Sequence, residues 1–132
     1  MCVDTFRGER GTMKDLLIEK EVKGKVQVMK LSGSLDLHSF AKLERQVKTL
    51  FQEGHYRIVL DCNGLNYVSS AGLGSLVGFA KEAREHDGDV RLLNLPENVH
   101  KVMELLGFTK VLQIFNNANL AITSFTKLPT QP

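Results

Sequence analysis

The chain has no tryptophan and only two tyrosines among its 132 residues, so aromatic platforms on which unpaired bases could stack are scarce. Neither charge dominates: Lys and Arg total 17, Asp and Glu 15. That balance gives no electrostatic footprint for nucleic acid or for an anionic membrane surface. There are only two cysteines, Cys2 and Cys62. Their placement suggests neither a disulfide framework nor a zinc site, and a reducing cytoplasm is the matching compartment. No apolar run approaches the ~18 residues of a membrane-spanning helix. The opening MCVDTFRGERGTMK lacks the apolar core of a signal peptide. It reads as a flexible lead over residues 1–14, with Met13 as a second candidate start. What remains is 42% hydrophobic overall, enough for a core. No repeat, low-complexity block or linker divides it, so one domain is expected over 15–127, with a flexible tail at 128–132.

Periodicity supplies the elements. LLIEKEV (Leu16 to Val22) and KVQVMKLSG (Lys25 to Gly33) predict two strands joined at Lys23-Gly24, with an irregularity near Met29 and Lys30. GSLDLHS follows as a loop. Phe40, Leu43, Val47, Leu50 and Phe51 fall at helical spacing, and Gly54 ends that helix. YRIVLDC predicts a buried strand. A helix runs from the serines to about His86, and HDGD breaks it. VRLLNL predicts a strand, Pro96 the first turn of a helix with stripe Val99, Val102, Met103 and Leu106, and KVLQIF a short strand. NNANLAITSF predicts a last helix capped by Asn116 or Asn117. The order is ββαβαβαβα: an α/β fold with a mixed central sheet of about five strands and about four helices.

The stretch YVSSAGLGSL, Tyr67 to Leu76, lies where a strand passes into a helix. Leu73, Leu76, Val77, Ala80 and Arg84 form one arc, expected to face the sheet. Gly74, Ser75, Gly78 and Glu82 form the opposite arc. Glycine inside a helix costs ~1 kcal/mol relative to alanine. These two glycines therefore mark either a close approach by a partner or packing under a neighbouring loop. Ser70 occupies the expected N-cap position, worth ~1 kcal/mol. The same place suits a phosphate, which gains from the free N–H groups and the positive end of the helix. Phe79 sits on the flank, as core edge or partner anchor. Other chemistry finds little support. Gly72-Leu-Gly74 lacks the Lys-Ser/Thr of a P-loop and the third glycine of a dinucleotide site. His38, His55, His86 and His100 have no metal-ligand spacing, no catalytic triad can be set up from sequence order, and Cys62 reads as a small core residue.

GSLDLHS at Gly33 to Ser39, IVLDCNGLNYVSSAGLGSLV at Ile58 to Val77 and LLGFTKVLQIF at Leu105 to Phe115 together resemble the STAS domain. More closely, they resemble the bacterial anti-sigma factor antagonists, over roughly Leu16 to Lys127. The resemblance implies a regulatory protein without catalytic residues, metal or cofactor. Its switch serine would be Ser70, followed by Ala71, Gly72, Leu73 and Gly74, with Ser69 as a rival. An anti-sigma factor that is also a serine kinase would phosphorylate it, and a metal-dependent serine phosphatase would restore the form that binds the anti-sigma factor and frees the sigma factor. Asp36 would lie at the docking surface, with Ser39 capping the next helix. Docking would involve Asp36, Ser39, Ser69, Ser70, Ala71 and Gly72, together with Gly74, Ser75 and Gly78. Two departures stand out: Ser69 replaces the aspartate that many members carry, and Ala71 replaces a serine or threonine. No nucleic acid or membrane insertion is expected, and the state is a monomer or weak dimer. The alternative is an unmodified accessory subunit of a larger lipid-transport or sensory assembly.

Overall fold

The alternation in the opening segment folds as a hairpin. Strand β1 (Leu17–Lys23) pairs antiparallel with β2 (Val26–Leu35), and Gly24 takes a φ of 63° in the turn between them, a conformation glycine adopts without steric cost. The computed structural model describes residues 16–127, with residues 126 and 127 described through their backbone alone. The expected lead and tail lie outside the described residues. After the hairpin come α1 (Phe40–Gln52), β3 (Arg57–Val68), α2 (Ser70–Arg84), β4 (Asp89–Leu93) and α3 (Glu97–Leu105). A short 3-10 turn (Phe108–Lys110), β5 (Ile114–Phe115) and α4 (Ala118–Lys127) complete the chain.

The sheet order is β1-β2-β3-β4-β5, and every pair after the first is parallel. Each crossover from β2 onward steps to the next strand in the same direction. Right-handed connections of that kind place their helices on one face. Accordingly α1, α2 and α3 share one core with the inward residues of the strands, among them Leu43, Leu73, Met103, Ile58, Leu60 and Leu92. Helix α4 covers the other face with Ala121 and Phe125 against Val26, Val28, Val59 and Leu93. Cys62 is wholly buried, which pushes its thiol up to about 12. It is a core residue and no nucleophile at neutral pH.

Several boundaries differ from the sequence expectation. β2 and β3 run on past Gly33 and Cys62 to Leu35 and Val68 because their register shifts between Lys30 and Ser32 and again between Gly33 and Ser34. The first shift, next to Lys30, is the irregularity expected near Met29 and Lys30, and the second lies beyond it. KVLQIF forms a strand only at its last two residues, since the 3-10 turn takes up its beginning. With so short an edge strand beneath it, α3 buries Val99 and Met103 but leaves Val102 and Leu106 exposed. Pro96 precedes α3 as its N-cap residue, and Asn117 is the residue that caps α4, accepting from the Leu120 N–H at 3.1 Å.

Candidate functional site

The extension of β2 and β3 builds the site. It carries both strands to the same end of the sheet, where the Ser69 N–H donates to the Leu35 carbonyl at 2.9 Å. Two segments leave from that point: the loop 36–39 into α1, and Ser69 into α2. The loop is tied by its own polar side chains. Asp36 Oδ1 accepts from the N–H groups of His38 and Ser39, each at 3.0 Å. These bonds, the one from Ser39 foremost, hold its carboxyl below the usual aspartate range. Ser39 Oγ donates to the Ser34 carbonyl at 2.6 Å and accepts from the Asp36 N–H at 3.0 Å. Ser39 stands at the N-cap position of α1 but makes no capping bond. Its backbone is helical (φ −93°, ψ −16°), whereas a capping side chain needs an extended residue to aim at the first turn. Its hydroxyl serves the loop instead.

The serine pair divides in a way the sequence reading placed one residue too late. Ser69, not Ser70, is the cap of α2. Its backbone is extended (φ −81°, ψ 168°), and its Oγ accepts from the Gly72 N–H at 3.0 Å. Its carbonyl accepts from the Leu73 N–H at 2.9 Å. Ser70 is thereby the first residue inside the helix. It is exposed, and its hydroxyl has no hydrogen-bond partner among the described residues. It stands beside the positive end of the helix with nothing holding it.

The rest of α2 has two faces. Leu73, Leu76, Phe79, Ala80 and Ala83 are buried, so Phe79 belongs to the core. Val77 is half-buried, and Arg84 leaves the sheet-facing arc to donate to Asp89 Oδ1 at 2.8 Å and to the Val111 carbonyl at 2.6 Å. Gly72, expected on the docking surface, is buried. A Cβ there would meet the Leu35 carbonyl oxygen at 2.9 Å and Leu35 Cγ at 3.0 Å. Gly74 and Gly78 are exposed, and a Cβ on either would meet nothing within 4 Å. Among the described residues no neighbouring loop covers them. Ala71 is exposed beside them, and half-buried Ser75 turns its hydroxyl back to the Gly72 carbonyl at 2.7 Å. An ion pair between Lys48 of α1 and Glu82 of α2, 2.6 Å long, borders this face.

Two residues that the sequence reading passed over complete the surface. Leu37 is 66% exposed in the loop and Tyr67 is 54% exposed at the end of β3. Exposed large apolar groups of this kind have the character of interface anchors. The legible signal was an apolar residue between two polar ones in DLH. Among the described residues the site has no cluster of three or more metal-ligating side chains, and the contact of the Ser39 hydroxyl with Asp36 Oδ1, at 3.2 Å, is part of the loop's own bonding.

Comparison with known proteins identifies the family and the fold. The STAS domain family matches residues 18–121. BtrV of Bordetella bronchiseptica, a protein that carries the name of an anti-sigma factor antagonist, is 33% identical over 100 residues, covering 75% of this chain and 86% of that protein. The anti-sigma F factor antagonist of Paenibacillus polymyxa is 29% identical over 110 residues, covering 83% and 94%. The crystal structure of an anti-sigma factor antagonist from Mycobacterium paratuberculosis superposes with a TM-score of 0.76 at 18% identity, covering 85% of this chain and 95% of that one.

Proposed function

The chain belongs to the STAS domain family, and from that premise we propose that it is a cytoplasmic anti-sigma factor antagonist switched at Ser70. The unphosphorylated protein binds an anti-sigma factor that is also a serine kinase, and the sigma factor is released. Phosphorylation of Ser70 ends the complex, and a metal-dependent serine phosphatase restores it. The names of the relatives support the general role. The observation that carries the switch is the state of Ser70: exposed, without a hydrogen-bond partner among the described residues, and at the first position of α2. A phosphate there adds about −1.5 to −2 charges where the free N–H groups and dipole of the helix tolerate them. The fold is therefore spared. A partner seated on Gly74 and Gly78 is not, because a charge desolvated in an interface without a counter-charge costs several kcal/mol. Ser69 is the poorer acceptor, since its oxygen is engaged with Gly72.

Intact-mass and site-mapping spectrometry of the protein recovered from its own cell, with and without stress, tests this reading. A phosphate on Ser70 is expected. A phosphate confined to Ser69 moves the switch by one residue and discards the division of labour between the serines. A chain never phosphorylated under any condition overturns the switch.

A further inference from the structure

At the end of the sheet opposite Ser69 lies a concavity that the switch does not use. Three turns converge on it: the β1–β2 hairpin with Lys25, the α1–β3 loop with His55 and Tyr56, and the α2–β4 turn with His86 and Asp87. They border an open concavity of about 590 Å³, within the size range of small-molecule sites. Tyr56 forms a rigid wall. Its ring stacks on Phe51 with centroids 5.0 Å apart and on His86 at 4.1 Å, the latter pair nearly parallel at 5°. The Asp89 N–H donates to the Tyr56 carbonyl at 2.9 Å, and Gly88 lies so close to that carbonyl that no side chain would fit there.

The informative residue is Gln27 of β2. It is only 8% exposed, it lines the cavity, and its amide has no hydrogen-bond partner among the described residues. Buried amides left unpaired are destabilising and rare. Its neighbours on that face of β2, Met29 and Leu31, are apolar core residues, so a glutamine here is not explained by packing. Two cations line the same cavity, Lys25 and Arg57. Neither has an ion pair or a side-chain hydrogen bond among the described residues. Asp87 is the one carboxylate in the lining.

We propose that this cavity binds a small metabolite carrying a phosphate or carboxylate group. Arg57 presents its fork to the oxyanion, Lys25 adds a second charge, and the Gln27 amide supplies the donors that now lack an acceptor. The site rests on residues remote from Ser70 and stands or falls separately from the switch.

The full-length protein is titrated with inorganic phosphate and, separately, with citrate. The Gln27 side-chain amide and the His86 ring protons are followed by NMR. Saturable shifts at these groups are expected, and the tighter of the two anions identifies the headgroup. Replacing Lys25 and Arg57 together by Gln weakens binding at least tenfold. Gln27→Met raises the melting temperature of the free protein, by removing the unpaired amide, and weakens the anion. Shifts that never saturate overturn the site, as do affinities within twofold of wild type in the double variant or in Gln27→Met.

Discussion

Gly72 and Gly78 stand on the same helix for opposite reasons. Gly72 faces inward, where α2 approaches the end of β2 so closely that even a methyl group would press on the Leu35 carbonyl at 2.9 Å. Gly78 faces outward, where a Cβ would meet nothing among the described residues within 4 Å. The inner glycine answers a constraint of the fold. The outer one weakens its own helix, by ~1 kcal/mol relative to alanine, with no internal contact in return. What it leaves open is a flat approach for another molecule. One residue type thus marks the fold on one side of α2 and the proposed docking face on the other.

That contrast is broken most severely from the inside. Gly72→Leu forces a side chain against backbone that cannot yield, and overpacking of this kind destabilises by about 3 kcal/mol. Chemical denaturation of the purified variant measures it. A loss below ~1 kcal/mol would show that the α2–β2 contact gives way and that Gly72 is not fixed by packing. On the outer face the expected effect falls on the partner alone. Gly78→Leu and Ser70→Asp each reduce affinity for the anti-sigma factor about a hundredfold, equivalent to ~2.7 kcal/mol. Calorimetric titration reads it. Undiminished binding by Ser70→Asp would sink the charge-exclusion mechanism. Undiminished binding by Gly78→Leu would move the docking surface off this helix face.

The same outer variant sharpens the comparison through its stability. Gly78→Leu gains helix propensity and meets no obstacle, so the free protein becomes more stable by up to ~1 kcal/mol. Opposite signs for leucine at 72 and at 78 are the signature of the two faces. A loss at both positions would place Gly78 in the core after all.

How much of this was legible follows from what each signal depends on. The element order is carried by local hydrophobic periodicity, and it survives intact. The arc of α2 was read in the right direction for Leu73, Leu76 and the exposed glycines. Phe79, read as core edge or partner anchor, is core; the reading failed at Gly72, because burial there depends on how near β2 comes, a long-range quantity. The first register shift between β2 and β3, next to Lys30, left a trace in the broken alternation of β2; the second, between Gly33 and Ser34, has no local signature, and beyond it Leu35 meets Ser69. Ser39 misled for a similar reason. Its sequence position suits a cap, but Asp36 and the Ser34 carbonyl claim its hydroxyl. The unpaired Gln27 lay in a strand whose alternation gave no hint that the cavity beneath it was open.

The finest division is between the two serines, and it is tested by removing one hydroxyl at a time. Ser69→Ala deletes the acceptor for the Gly72 N–H and costs about 1 kcal/mol, the usual value of an N-cap. Ser70→Ala deletes a hydroxyl that is exposed and bonded to nothing among the described residues. Surface substitutions of that kind stay within about 0.5 kcal/mol. Denaturation curves of the two variants, compared with wild type under the same buffer, separate them. Equal losses would mean that both hydroxyls share the cap, and Ser70 would then no longer be free for a kinase. If only Ser69→Ala loses stability, the fold has assigned structure to one serine and left its neighbour available for chemistry. Ser70→Ala should then bind the anti-sigma factor constitutively while folding as well as the wild type.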